Sequence, residues 1–219
     1  MKKSVLNQQT ENSIQNSDVV WRKLTLSINP SPHDLKLLTQ RILFCLDNNL
    51  SEFAAGALQD LFIVLQNNGA DLRLRMLNLI NPLLDYSERK YFQQKLVVEN
   101  GESSSALSQE CQHFMGSVLA AGDCELNETS YLSRSSEFQN KQEEAQYLIA
   151  CGKLFAAREL LEETYLKNKS DSTLESELQS FFFYTKDKKG LEQFMARLLQ
   201  KNNKVSSSWQ ALQKAATMW

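Results

Sequence analysis

The 219-residue chain sets 24 Lys and Arg against 26 Asp and Glu, a net charge of −2. It lacks the basic surplus that neutralising phosphates demands, which excludes an ordinary nucleic-acid binder and a purely electrostatic hold on anionic lipid. Hydrophobic residues at 42% suffice for a core, while 7 Gly and 3 Pro are few for the many turns of an all-β fold, so helices are favoured.

The chain opens MKKSVLNQQTEN. Two lysines lead, but no apolar stretch follows, so no secretory signal is read. No run of about 18 apolar residues marks a membrane span. A cytoplasmic protein is expected, with Cys45, Cys111, Cys124 and Cys151 as reduced thiols. Residues 1–29 are read as a disordered or extended arm. Within it Leu24, Leu26 and Ile28 alternate like a strand, while Val20, Trp21 and Leu24 fit a short helix equally well.

A first lobe is expected over 30–97. Ser31 as cap and Pro32 at the first helical position start a helix to about Asn48, with Leu35, Leu38, Ile42, Cys45 and Leu46 along one face. Ser51 starts a second, and Gly69 supplies its left-handed end. A third runs from about Asp71 to Leu84, with Pro82 kinking or ending it. Ser87 caps a fourth, carrying Tyr91, Phe92 and Leu96.

Residues 98–142 read as a flexible connector. It holds one amphipathic helix with Leu107, Cys111, Phe114, Met115, Val118 and Leu119, and proteases are expected to cut first near 99–105 or 122–137. A second lobe spans 143–202. Gly152 breaks its first hairpin, and Ser172 with Glu175 forms a capping box for the next helix. A C-terminal arm over 203–219 carries Trp209, Leu212 and Ala216 on one helical face.

The two blocks match without gaps at an offset of 102 residues. Phe53 pairs with Phe155, Ala54 with Ala156, Leu58 with Leu160, Asp85 with Asp187 and Phe92 with Phe194. The pattern predicts an all-α fold of two helical-hairpin lobes joined by the connector. In AQYLIACGKLFAARELLEETY, small residues let two helices approach closely. With the Leu174 helix and GLEQFMARLL, this stretch resembles the tetratricopeptide-like unit of FimV-type bacterial proteins at Ala145, Gly152, Ala157, Leu160, Leu161 and Phe194. The first block departs from it, with Asn49-Leu50 in place of the turn Gly, and the Trp and Pro of the full consensus are missing. The resemblance implies an assembly and interaction module. In style the chain also resembles the small helical accessory subunits of Dot/Icm-type type IV secretion coupling complexes.

No phosphate-binding Gly loop, G-x-S-x-G or H-E-x-x-H occurs. Cys111, His113 and Cys124 give three potential zinc ligands at unusual spacing, one short of the usual four. No catalytic, cofactor-binding or metal residue is therefore expected, and no feature points to a small-molecule ligand. The acidic pairs Glu143-Glu144 and Glu162-Glu163 are read as solvated helix faces. Phe181-Phe182-Phe183-Tyr184 covers every side of a helix, so part of it must face something beyond its own core. Trp21, Phe182, Phe183, Tyr184, Trp209 and Trp219 are the candidate partner-binding residues. The expected function is that of a non-catalytic adaptor or scaffold subunit of a bacterial multiprotein assembly, such as a type IV secretion coupling complex. The alternatives are a secretion chaperone or pilus-assembly regulator and, from another class, a small metal- or thiol-dependent enzyme.

Overall fold

The computed structural model describes residues 16–98, 113–120, 138–168, 171–201 and 205–219, all of it helix, turn or loop with no strand among these residues. In chain order the helices are α1 (16–26), α2 (Leu35–Asp47), α3 (Ser51–Leu65), α4 (Ala70–Ile80) and α5 (Tyr86–Val98). Then come α6 (Lys141–Ala150), α7 (Leu154–Lys167), α8 (Ser172–Thr185), α9 (Lys188–Lys201) and α10 (Ser207–Ala215). Short 3-10 turns cover Asn81–Leu83 and Ala216–Met218. The first of these follows from Pro82, which cannot continue the hydrogen-bond ladder of α4.

The ambiguous N-terminal stretch is helical as far as Leu26, and several of its apolar residues face inward while Val19 is exposed. Trp21, Leu26 and Ile28 are all buried. Val98, the first residue of the expected 98–142 connector, ends α5, while 99–112 and 121–137 lie outside the described residues, as do both expected protease sites. Residues 113–119, assigned on periodicity to an amphipathic helix, are not helical. Gly116 has φ +90, which a right-handed helix does not admit, and the amides of Val118 and Leu119 bond to a side chain rather than to the preceding turn.

Several helix ends differ from expectation by a few residues, because an aspartate outcompetes the nearby serine. Asp34, not Ser31, caps α2 by accepting from the Lys36 and Leu37 amides. Asp171, not Ser172, caps α8 by accepting from Thr173 and Leu174. At α5 the reciprocal box is Asp85 with Glu88: the Glu88 amide donates to Asp85 Oδ1 at 2.8 Å, and the Asp85 amide donates to Glu88 Oε2 at 2.8 Å. Gly69 is left-handed but precedes α4, whereas Gln66 terminates α3.

These caps carry a pH signature. The Glu88 amide and then the Ser87 hydroxyl hold the Asp85 carboxyl below its ordinary 3.8, and the Thr173 hydroxyl with the Leu174 amide does the same for Asp171. A depressed carboxylate contributes stability that is present above its unfolded pKa and is lost as pH falls through the folded value. Acid titration of the folded protein should therefore show a loss beginning below pH 3.8. Asp85→Asn should flatten that part of the profile, and an unchanged acid limb would remove the cap from the account.

The hydrophobic interior forms two clusters. One gathers Trp21, Leu38, Ile42, Cys45, Leu58, Leu61 and Phe92 from α1 to α5, with Phe114. The other gathers Leu148, Leu161, Leu178, Phe182, Phe194 and Trp209 from α6 to α10, with Leu26. Cys45 and Cys151 are buried, as small hydrophobes in these patterns should be. Burial pushes the Cys45 thiol up to about 12, which makes it unreactive.

The two hairpins repeat each other, but not in the gapless register. At the first turn the Asn49 amide donates to Leu46 O, Leu50 to Cys45 O and Ser51 to Asn49 O. At the second, Gly152 donates to Ile149 O, Lys153 to Leu148 O and Leu154 to Gly152 O, the same pattern displaced by 103 residues. Ala54 and Leu58 then correspond to Ala157 and Leu161, all fully buried. Phe53 and Phe155 fall out of register: Phe53 stacks on Trp21, while Phe155 is 66% exposed. Further along the offset returns to 102. The Glu88 amide bonds to Asp85 Oδ1 as the Gly190 amide bonds to Asp187 Oδ1, and Phe92 and Phe194 are both fully buried. Asn49 takes the left-handed turn conformation at φ +54, so the Asn does in the first hairpin what Gly152 does at φ +83 in the second.

Candidate functional site

The site with the densest polar chemistry lies where α1, α2, α3, the 113–120 segment and the α6–α7 turn converge. Its charged members are Arg41 on α2 and Asp60 on α3, both fully buried. Arg41 Nη1 donates to Asp60 Oδ2 at 2.6 Å. The guanidinium lies 4.5 Å from the centre of the Trp21 ring, which also stacks on Phe53 with ring centres 5.3 Å apart. Arg41 Nη2 donates to Gly116 O at 2.7 Å and to Thr25 Oγ1 at 3.3 Å. Asp60 Oδ1 accepts from Ser117 Oγ at 2.7 Å, from the Leu119 amide at 3.0 Å and from the Val118 amide at 3.1 Å.

The segment is held at further points. Gln59 Oε1 accepts the Phe114 amide at 3.0 Å, and Cys151 O accepts the Gly116 amide at 3.1 Å. The Phe114 ring sits 5.1 Å from Tyr91 and 5.4 Å from Phe92. Two glycines permit the approach: a β-carbon at Gly56 would collide with Met115 O and the Ser117 nitrogen, and one at Gly152 with Ser117 O. Beyond the segment, Trp21 Nε1 donates to Ala150 O at 3.0 Å, and Asn29 Nδ2 donates to Thr185 O at 2.8 Å.

Both Asp60 carboxylate oxygens are thus filled by donors, Arg41 among them. His113, at the edge of the segment, is half-buried; burial and then Lys153 hold its imidazole below its ordinary range, with Asp60 opposing. No group of three or more His, Cys, Asp or Glu positioned to hold a metal occurs among the described residues. Cys111 and Cys124 of the possible zinc set lie outside them.

The six expected partner-binding residues divide. Trp21, Phe182 and Trp209 are buried in the chain's own interior. Trp209 donates from Nε1 to Tyr165 Oη at 3.1 Å, with the Phe194 ring centre 5.0 Å away. Phe183 is 46% exposed, and Tyr184 and Trp219 are half-buried. Lys186 Nζ lies 4.1 Å from the Phe183 ring centre and 4.9 Å from that of Trp219, tying the C-terminal residue to the end of α8. The acidic pairs also split. Glu143 and Glu163 are exposed, but Glu144 and Glu162 are buried. Neighbouring positions on a helix point about 100° apart, and each inward carboxylate has basic partners: Lys141 for Glu144, Arg158 and Arg197 for Glu162.

Arg41, Asp60 and Gly56 did not stand out in the sequence, because a buried ion pair reads there as two ordinary polar helix positions, and the apolar residues of 113–120 read as one face of a helix. The available signal is the run Ala54-Ala55-Gly56-Ala57, four small residues with Asp60 one turn beyond Gly56 on the same face. Comparison with known proteins gave no matching family model, no similar curated protein and no similar solved structure. No helix among the described residues is long and apolar enough to cross a membrane.

Proposed function

We propose that this chain is a non-catalytic adaptor or scaffold subunit of a bacterial multiprotein assembly, of the kind represented by type IV secretion coupling complexes. In this reading α2–α5 and α6–α9 are two tetratricopeptide-like lobes. The protein is cytoplasmic and reaches a membrane-bound machine only through its protein partners. The observation that supports it is the hairpin turn repeated bond for bond between the two halves. Repeated helix pairs stack edge to edge and leave extended faces for partners. On the second half Phe155 and Phe183 are two large rings left outside the core. Interfaces concentrate their energy in a few such aromatic anchors.

The test is affinity purification of the tagged full-length chain at native expression, with partners identified and their stoichiometry measured. A defined set of proteins should be recovered at fixed ratios. A Phe155→Ser/Phe183→Ser double variant should keep the melting temperature and lose at least one partner. Recovery of the chain alone, or full retention of every partner by the double variant, would refute the proposal.

A further inference from the structure

The 113–120 segment, His-Phe-Met-Gly-Ser-Val-Leu-Ala, is held in the manner of a bound peptide. Residues 113–119 belong to no helix, and within the segment only a few backbone groups pair with one another, such as the Ser117 amide with Phe114 O. Its polar main-chain groups are met mainly from outside. Gln59 takes the Phe114 amide, Cys151 O the Gly116 amide, Arg41 the Gly116 carbonyl, and Asp60 the Val118 and Leu119 amides. Contacts of this type hold main chain, here a turn around Gly116 at φ +90, rather than particular side chains. The Ser117 hydroxyl is selected by Asp60 Oδ1, where a threonine could replace it, and the Met115 sulfur accepts from Tyr147 Oη at 3.7 Å. The walls lack a β-carbon at Gly56 and Gly152, where the main chain passes closest. Phe114 fills an aromatic pocket beside Tyr91 and Phe92.

We propose that the cleft between Gly56 on α3 and the Gly152 turn is a slot for a turn-forming peptide in which an aromatic residue precedes a Gly-Ser or Gly-Thr pair and an aliphatic residue follows it, and that residues 113–120, which turn at Met115–Gly116, are its intrachain occupant. The external ligand is a segment of the same chemistry on a partner protein, which competes with the internal one. The slot then serves as a self-occupied docking site, closed until a better-fitting segment displaces its own. This deepens the adaptor reading and rests on it for the biological ligand, but the slot itself can be tested without any partner.

The test uses the full chain with Val118→Pro. Proline removes the amide that donates to both Asp60 oxygens and leaves every slot residue intact. The probe is a fluorescent peptide of residues 113–120 with blocked ends. The variant should keep its helical circular dichroism and bind the peptide at least tenfold more tightly than wild type, whose slot is filled. Adding Gly56→Ala should weaken that binding at least tenfold, and a probe with proline in place of Val118 should not bind.

Loss of helicity in Val118→Pro would overturn the proposal, since the segment would then be core. So would a folded variant that fails to bind, or one that binds equally well with Gly56→Ala. Hydrogen exchange on the unmodified protein gives a second readout. The amides of Gly116, Val118 and Leu119 should exchange at least tenfold faster than those inside α3, through local opening; equal rates would sink the idea. Partner capture without peptide binding would refute the slot and leave the adaptor reading standing, whereas peptide binding without any partner would do the reverse.

Discussion

Asp60→Ala should cost about 3–5 kcal/mol of folding free energy, the usual penalty for removing one member of a buried ion pair. The penalty comes less from the attraction lost than from what is stranded. Arg41 would be left fully buried with its charge uncompensated, and the Ser117 hydroxyl and the Val118 and Leu119 amides would lose their acceptor. Asp60→Asn keeps an acceptor for the segment but removes the charge. It should fall between wild type and Ala, with the remaining loss assignable to Arg41. A double-mutant cycle with Arg41→Met, read by urea unfolding, gives the coupling directly, and Arg41→Met/Asp60→Ala should be more stable than Asp60→Ala alone. A loss below about 1 kcal/mol for Asp60→Ala would mean that water reaches the pair in solution.

The fold class was legible because helices advertise themselves by spacing. Leu38, Ile42 and Cys45 recur at helical intervals and are all fully buried, and Pro82 ends α4 where its missing amide requires. Boundaries were less legible, since Asp34, Asp85 and Asp171 each stand near a serine that could cap as well, and only the geometry decides which oxygen meets the first amides. Register was misread by one residue in the first hairpin. Identities such as Phe53 with Phe155 reward the offset 102, whereas the turn bonds set 103 and send Phe155 outward. The site was the least legible element. Nothing local tells that Gly116 interrupts an apolar periodicity to lay its neighbours against a carboxylate 57 residues earlier, because the pairing of Ser117 with Asp60 is decided wholly by tertiary contact. The burial of Glu162 escaped for the same reason: one of its counter-charges, Arg197 on α9, comes from a different helix.

The C-terminal helix supplies the sharpest contrast between self-docking and partner-docking. Trp209 has no exposed surface, and its ring is enclosed by Tyr165, Phe182 and Phe194, with centres 5.8, 6.4 and 5.0 Å away. Its indole N–H is satisfied by the Tyr165 hydroxyl, and burial pushes that phenol above its ordinary pKa. Glu175 Oε1 fixes the start of α10 by accepting from Ser206 and Ser208 at 2.8 and 2.6 Å. Trp209→Ala should therefore cost about 3–5 kcal/mol through the cavity it leaves, and a domain of this size should melt several degrees lower for each kcal/mol lost. Trp219→Ala removes a half-buried ring whose polar contact is Lys186, an interaction of about 0.5–1 kcal/mol at such a site. The pair thus predicts a steep ranking in thermal unfolding, with Trp209→Ala far below wild type and Trp219→Ala close to it. Trp209→Phe, which keeps most of the apolar volume and loses the bond to Tyr165, should sit between the two. A Trp209→Ala protein with the wild-type melting temperature and a weakened complex would mean that this helix leaves the core in solution and docks on a partner. A fall in melting temperature with unchanged partner affinity would show that α10 completes the second hydrophobic cluster, as the packing of Trp209 against three aromatic rings requires.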